Sequence, residues 1–309
     1  MFDAPDILTE ENPKKGGNLL CKTARLKFEF IMLEKENYPV YLLCKVMRVS
    51  KSGFYKWFEC KDKNHHFEFS LEEEIKKIHT SSRGTYGRRR ILSALKKSFI
   101  KVGQKRISKI MKKLNLNGVG KPKFKTTTKV DKQAIHSPNL ISGDFTSYKP
   151  NELWTSDITY IPTKEGWVYL CIILDTFSRA IIGWSMQDNL KREIVLNSLN
   201  MAYKKRSHFP NGIIFHSDKG SQYSSKEVRK YLKLNHFHQS MSNSCYENSI
   251  TESFFSTLKK ELVYRSNFLT RKEAKFSIIE YIEVFYNRIR AHSALDYLAP
   301  LEYEKNYEI

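Results

Sequence analysis

Three acidic residues in the second half of the chain have types and positions that suit metal-dependent chemistry. Asp157 lies within an alternating apolar segment, Asp218 follows a short apolar segment, and Glu252 falls in an amphipathic stretch. Converging carboxylates repel one another unless cations lie between them. Mg²⁺ prefers carboxylate oxygens and keeps waters for substrate phosphates. Such a set predicts two divalent ions about 3.5–4 Å apart, which is the arrangement used for in-line phosphoryl displacement.

Each of these acids also has a simpler interpretation. An isolated Asp at the end of a strand is more often a cap or a turn residue than a ligand. Asp175, at the end of another predicted strand, is interpreted as such a structural residue. His216, two residues before Asp218, is explained equally well by packing and by a role in a site. The spacing of the acids alone therefore leaves both interpretations open.

The elements that must position these acids are predicted from residue 153 onward. The segment 153–163 alternates and is rich in β-branched and aromatic residues, which predicts a strand. The segment 167–178 is almost continuously apolar, as in a strand buried on both faces. A third strand is predicted at 180–187. Further strands are predicted at 213–218 and 236–242, and helices at 191–206, 224–235, 247–263 and 271–290.

The predicted order is β-β-β-α-β-α-β-α-α, which is the layout of a ribonuclease-H-like α/β fold with a mixed five-stranded sheet. In such a sheet the first and fourth strands are neighbours. Asp157 and Asp218 are then expected at one end of the sheet, and a helix packed beside them delivers Glu252.

Positive charge is concentrated in the first half of the chain. The 309 residues include 53 Lys and Arg and 33 Asp and Glu, for a net charge of +20. Residues 1–150 carry +17 and residues 151–309 only +3, and the window 83–132 holds 17 basic residues and one acid. This predicts a nucleic-acid partner, since neutralised phosphates release counterions. The alternative is a solvated basic surface without a partner.

Helical periodicity accompanies the basic window. Amphipathic helices are predicted at 70–79, with Ser70 as N-cap, at 91–99 and at 104–116. Three short helices with basic outer faces predict a small all-α helix-turn-helix-like basic domain. A shorter helical pair at 40–57 is predicted to break at Ser52-Gly53. The predicted organisation is an unassigned segment 1–35, a helical DNA-binding region 36–118, a basic linker 119–150 and a catalytic core 151–309.

Basic residues within these helices are the candidate DNA contacts. Two further lysines lie on the predicted helix of Glu252, where an exposed helix end is an equally good explanation. The candidates are Arg88, Arg89, Arg90, Lys105, Arg106, Lys109, Lys112, Lys113, Lys259 and Lys260.

Several classes of protein are disfavoured by composition. The five cysteines are scattered and form no C-x-x-C pair, which argues against a disulfide framework and a zinc finger. No apolar run reaches the roughly 18 residues needed to span a bilayer. The first residues lack the apolar core of a signal peptide, so an intracellular location is expected.

Six sequence segments resemble one protein family. Their number, order and spacing resemble the DDE transposases of bacterial insertion sequences, within the retroviral integrase core superfamily. The closest resemblance is to the second-frame protein of the IS-three family. The segments are TYGRRRI (85–91), LWTSDITYIPT (153–163), LDTFSRAIIGWSM (174–186), HSDKGSQYSS (216–225), TESFFSTLKKE (251–261) and YNRIRAHSALDYLAPLEYE (286–304).

The resemblance implies a function and a set of roles. Asp157, Asp218 and Glu252 match the catalytic, metal-binding triad, which works with Mg²⁺ or Mn²⁺, as two ions. The implied activity is cleavage of DNA at the element ends followed by strand transfer into target DNA. The implied partners are double-stranded DNA at the terminal inverted repeats and the target, further copies of the chain on DNA, and an upstream-frame protein. The implied location is the bacterial cytoplasm, at the nucleoid and not in a membrane.

The sequence departs from the family pattern before Glu252. Glu247-Asn248-Ser249 stands where the family usually has Asp-Asn-Ala, and 33 residues separate Asp218 from Glu252, slightly fewer than usual. A catalytically inactive DNA-binding remnant or regulator is therefore the alternative function. A retroviral-type integrase would need a zinc module with a C-x-x-C pair. A ribonuclease H would leave the basic helical region unexplained.

Overall fold

The computed structural model describes residues 23–120, 137–206, 212–242 and 248–307. The chain divides into two compact units, Met1–Lys77 and Ile78–Ile309, and each is described by itself. Residues 1–22 of the predicted unassigned segment and 121–136 of the predicted linker lie outside the described residues. The predicted domain boundaries at 36, 119 and 151 remain predictions.

The described part of the first unit contains three helices: α1 (Ala24–Glu34), α2 (Val40–Val46) and α3 (Lys51–Ser81), whose last four residues belong to the second unit. Two predictions for this region were wrong. The break in the helical pair lies at residues 47–50, before Ser52-Gly53, and Ser70 lies inside α3 rather than capping a separate helix. Serine followed by Glu73 fits a capping pattern, but a cap needs a non-helical residue at that position, and residues 51–69 are already helical.

Two short helices precede the sheet in the second unit: α4 (Arg88–Lys97) and α5 (Gln104–Lys113). Both were predicted, with later ends. Each helix ends in a turn whose exit residue has a positive φ, Phe99 at 60° and Asn115 at 53°. The next N–H groups, those of Ile100 and Leu116, donate hydrogen bonds to carbonyl oxygens five residues earlier, at 2.9 and 2.8 Å. This is the pattern of a Schellman cap.

The second unit is built on a five-stranded sheet, and its order β3-β2-β1-β4-β5 confirms the predicted ribonuclease-H-like layout. The first three strands form an antiparallel meander, and β4 and β5 run parallel to β1. The strands are β1 (Leu153–Thr163), β2 (Gly166–Asp175), β3 (Ile181–Gln187), β4 (Ile214–Ser217) and β5 (His238–Met241).

Helices cover both faces of this sheet. Side chains of β1 and β2 alternate between two apolar clusters, so that Ile172 and Leu174 pack on one side and Cys171 and Ile173 on the other. The helices are α6 (Glu193–Lys205), α7 (Lys226–Leu234), α8 (Ser249–Glu261), α9 (Arg271–Glu280) and α10 (Pro300–Tyr307). None of the helices within the described ranges is long and apolar enough to cross a membrane.

The predicted helix 271–290 was wrong in its second half. After α9 the chain forms a π-helical segment, Tyr281–Tyr286. Beyond it, the amide of Asn287 donates to the carbonyl of Ile181 and accepts from its N–H, both at 2.9 Å. The wider turn thus sets Asn287 against strand β3, a tertiary contact that periodicity does not reveal.

Candidate active site

The sheet places Asp157 and Asp218 at the same end of neighbouring strands. β1 and β4 are parallel, and their last paired residues are Thr155 and His216. Each aspartate lies two residues beyond that pair. Asp218 is already in the turn after β4, whereas Asp157 is still paired with Ile172 of β2.

Helix α8 carries Glu252 in its first turn and is fixed to β1 by two hydrogen bonds. The side-chain amide of Asn248 donates to the carbonyl oxygen of Ser156 at 3.0 Å. The hydroxyl of Thr251 donates to that of Thr155 at 2.8 Å. Both contacts are buried; Asn248 and Thr251 come before Glu252 along the chain, and their partners Ser156 and Thr155 come before Asp157. They bring the start of the helix to the aspartate.

The pKa values of all three carboxyl groups are raised, chiefly by burial. The pKa of Asp157 is raised to about 8, mainly by burial. Repulsion from Asp218 and Glu252 also raises it, whereas the hydrogen bond from the Ile158 N–H lowers it. Burial also raises the pKa of Asp218 and that of Glu252. For Asp218, the hydrogen bond from the Gly220 N–H partly offsets this rise. Ionisation of these buried carboxyl groups is therefore favoured by a nearby positive charge.

A divalent cation fits this donor set. The donors are carboxylate oxygens, and burial raises the pKa of Asp157 and of Asp218, so a bound cation would favour their ionised forms. In the described part of the chain, no three His, Cys, Asp or Glu side chains are close enough to form a ligand cluster. Asp157 accepts from the Ile158 N–H at 2.7 Å, and Asp218 from the Gly220 N–H at 3.0 Å. Each aspartate thus accepts one main-chain hydrogen bond in this arrangement.

Lys259 lies on the same helix as Glu252 and reaches the edge of the site. Its charge favours ionised Asp157, while burial lowers the pKa of Lys259 itself. Its Nζ lies over the ring of Tyr160 at 5.2 Å from the centroid. Tyr160 and Trp167 are each 48% exposed and meet edge to face at 5.1 Å. A cation near Asp157 therefore lies over one ring of a partly exposed aromatic pair.

A buried polar cluster supports the strand directly before Asp157. The Ser156 hydroxyl donates to the carbonyl oxygen of Ile172 at 2.7 Å and lies 2.9 Å from the Tyr223 hydroxyl. Cys171 lies in the same cluster, and burial raises its pKa to about 11, so it stays a thiol. This cluster was not predictable from local patterns, because Ser156 and Tyr223 are 67 residues apart along the chain.

His216 and Asp175 have structural partners. His216 is completely buried, and its Nδ1 lies 2.9 Å from the Ser240 hydroxyl. Asp175, also completely buried, accepts from the Asn151 N–H at 2.9 Å and faces Arg206 at 3.5 Å. These contacts favour the structural interpretation of both residues.

Comparisons with known proteins agree with this architecture. Residues 147–245 and 252–307 match two families described as Integrase core domain, and residues 67–124 match an HTH-like domain. The chain is 38% identical to the insertion element IS600 uncharacterized 31 kDa protein of Shigella sonnei, over 86% of this chain and 98% of that protein. It is 32% identical to transposase InsF for insertion sequence IS3A of Escherichia coli (strain K12), over 90% and 98%.

The chain belongs to the IS-three family of insertion-sequence transposases. This confirms the resemblance found in its motifs. Among solved structures, the HTLV-2 integrase catalytic core domain in complex with magnesium aligns with a TM-score of 0.40 and 16% identity, over 52% of this chain and 99% of that chain.

Within this transposase, the residues predicted to contact DNA differ in their exposure to solvent. Lys105, Lys109 and Lys112 are exposed and spaced for one face of α5. Arg88 and Arg89 are exposed at the start of α4. Arg106 is half-buried and Lys113 exposed, and Lys259 and Lys260 are half-buried on α8.

Arg90 points inward instead. Its guanidinium lies 3.6 Å from Glu261 and 5.6 Å from the centre of the Tyr86 ring. Glu261, the last residue of α8, also pairs with Arg290 through two contacts of 2.8 Å and accepts from the Tyr281 hydroxyl at 2.7 Å. Arg90 thus joins the helical region to the helix that carries Glu252, a role that its local sequence does not indicate.

Proposed function

We propose that this chain is a catalytically active DDE transposase, which cuts DNA at the ends of its element and joins those ends to target DNA. Asp157, Asp218 and Glu252 are its catalytic, metal-binding residues. The observation that supports the proposal is that Asp157 and Asp218 lie at the same end of the adjacent parallel strands β1 and β4, with the start of the Glu252 helix hydrogen-bonded to β1.

The three carboxylates would hold Mg²⁺ or Mn²⁺, as two ions. When bound, such ions activate the attacking oxygen and stabilise charge on the phosphate. The chain's own residues do the positioning: Asn248 and Thr251 fix the start of α8 against β1. Lys259 supplies a cation beside Asp157, where a DNA phosphate would lie.

The basic helical region would hold the element end. Its exposed side chains are suited to phosphate contacts, which give affinity that falls steeply with salt. Arg90 contributes indirectly, through Glu261. The proposed DNA contacts are Arg88, Arg89, Lys105, Arg106, Lys109, Lys112, Lys113, Lys259 and Lys260.

The proposed partners follow from the reaction. They are double-stranded DNA at the terminal inverted repeats, target DNA, and further copies of this chain that pair two ends. An upstream-frame protein is a further proposed partner, and the bacterial cytoplasm at the nucleoid is the proposed location.

The alternative is an inactive DNA-binding remnant or regulator, because Glu247-Asn248-Ser249 departs from the family pattern. Of these, Asn248 forms the bond to Ser156 that fixes α8, which favours an intact site. The test is incubation of the chain, with its upstream-frame protein, with an end-labelled terminal-repeat duplex. Cleavage at the element end with Mg²⁺ but not with a chelator is expected. Stable binding of the duplex without cleavage, in Mg²⁺ and in Mn²⁺, would support the inactive DNA-binding remnant.

A further inference from the structure

The three helices at the start of the described chain have the local geometry of a second helix-turn-helix. α2 spans seven residues, four residues follow, and α3 begins at Lys51. The turn is closed by a left-handed residue, Arg48 at φ 52°, with hydrogen bonds from the Arg48 N–H to Lys45 and from the Val49 N–H to Cys44. This is a Schellman turn, which reverses the chain tightly between two helices.

The start of α3 is defined by its own cap. The Ser50 hydroxyl accepts from the Gly53 N–H at 3.0 Å. A Cβ on Gly53 would lie 2.6 Å from that hydroxyl and 3.4 Å from the Phe28 ring, so glycine permits both the cap and the close packing of α1. The turn and the cap together set the direction of α3 relative to α2.

A shared apolar core holds the three helices as one unit. Ile31 of α1, Leu43 of α2 and Phe54 of α3 are almost completely buried in the same cluster. The Phe28 ring contacts the Phe54 ring at 6.0 Å and the Trp57 ring at 5.6 Å between centroids. The second helix of the turn is thus fixed against both preceding helices, as a recognition helix must be.

The outer face of the first turns of α3 is polar and basic. Lys51, Ser52, Tyr55 and Lys56 are all exposed there. Residues 39–58 contain four basic side chains and no acid. A protein-docking face of a helix needs a row of apolar anchors, whereas this face offers hydroxyl and ammonium groups that suit phosphates and base edges.

We propose that residues 24–58 form a second DNA-binding unit, with the first two turns of α3 in the major groove of duplex DNA. This unit is distinct from the HTH-like domain matched at 67–124, because its turn lies at 47–50. The proposal rests on the proposed function only in taking the element end as the DNA. Two reading units in one chain would recognise two separate segments of that end.

The test uses the full chain and a labelled duplex that carries the terminal inverted repeat of its element. The variant Lys51→Ala/Lys56→Ala removes two charges from α3, and Lys230→Ala/Lys233→Ala removes two exposed charges from α7 as a charge-matched control outside the proposed unit. Affinity is measured by anisotropy at several salt concentrations. Major-groove contacts are mapped by protection of guanine N7 from methylation.

The α3 variant is expected to bind about tenfold more weakly and to flatten the salt dependence by about 1.8 in log–log slope, for two lost phosphate contacts. It should lose guanine protection over one segment of the duplex. Lys105→Ala/Lys109→Ala, in α5, should lose protection over another. The control should keep affinity within about twofold and the full footprint.

An α3 variant that matches the control in affinity, salt slope and footprint would overturn the proposal. That result is distinguishable from failure of the proposed function, because no step of the assay requires cleavage. A wild-type chain that gives both footprints yet never cuts would contradict only the catalytic proposal.

Discussion

The side-chain amide of Asn248 donates a hydrogen bond to the main-chain carbonyl of Ser156, at 3.0 Å and fully inside the protein. Ser156 directly precedes Asp157, and Asn248 lies one helical turn before Glu252. One buried bond therefore sets the position of the helix that carries one proposed ligand relative to the strand that carries another. Such supporting contacts decide how accurately a metal site is preorganised.

Substitution Asn248→Ala should reduce end cleavage by about 10–100-fold, the usual cost of losing a residue that orients metal ligands. The protein should remain folded, with a melting temperature lowered by a few degrees. The matched control is Asn235→Ala, which removes a 2.8 Å amide bond to Tyr231 at the end of α7. Equal losses of activity in the two variants, measured on the same labelled duplex, would argue against a positioning role.

Divalent metal should stabilise the wild-type protein in the absence of DNA. For a site with a dissociation constant near 1 mM, 10 mM Mg²⁺ would add roughly 1.4 kcal/mol to the free energy of unfolding. Asp157→Asn should abolish this gain, because it removes the proposed ligand that Asp218 and Glu252 both repel. Asp188→Asn, on an exposed loop, should keep it. Thermal melts with and without Mg²⁺ measure the difference, and an equal shift in both variants would refute metal binding at Asp157.

Lys259→Ala should slow strand transfer about tenfold or more, because a charge-assisted contact to a phosphate contributes roughly 1.5–3 kcal/mol. Lys259→Arg should restore part of that rate, since it keeps the cation over Tyr160. The control is Lys272→Ala, an exposed charge of α9. Single-turnover joining of a precut end measures the chemical step, and unchanged rates in Lys259→Ala would remove this residue from the site.

Acid should destabilise the protein through His292. Burial, assisted by Arg290 and Arg179, lowers the pKa of this imidazole to about 4, against about 6.5 in the unfolded chain. Between these values the unfolded state binds more protons, so stability falls as the pH drops from about 6.5 to 4, by at most about 3 kcal/mol.

The variant His292→Asn keeps an acceptor for the Ala294 N–H and should show a weaker loss. Asp175, whose pKa is raised to about 6, acts in the opposite direction but is present in both proteins. Urea unfolding at pH 4.5 and 7 makes the comparison. Identical pH dependence in the two proteins would mean that His292 does not titrate as described.

Strand placement was largely predictable from the sequence. The alternation of β1 ends at turn residues on both sides, so its bounds of 153 and 163 agree with the structure. Once the order of strands was recognised, the adjacency of Asp157 and Asp218 followed from parallel pairing, which places the ends of β1 and β4 together.

Contacts between distant residues were not predictable. Arg90 has the local setting of a DNA contact, but its partner Glu261 is supplied by the end of α8. The bond from Asn248 to Ser156 likewise joins residues 92 positions apart. Helix α3 was divided in the prediction because Ser70 and Glu73 mimic a cap. A local sequence pattern predicts which contacts a side chain is able to make. Which partner it meets depends on the tertiary fold.

The most direct test of the account compares amide variants of the three proposed ligands in one strand-transfer assay. A precut, labelled terminal-repeat end is incubated with supercoiled target DNA and Mg²⁺, and joined products are counted. Asp157→Asn, Asp218→Asn and Glu252→Gln should each abolish joining while binding the end as tightly as the wild type, and Asp188→Asn should join normally. Joining by any of the three amide variants at the wild-type rate would contradict the assignment of the metal-binding triad.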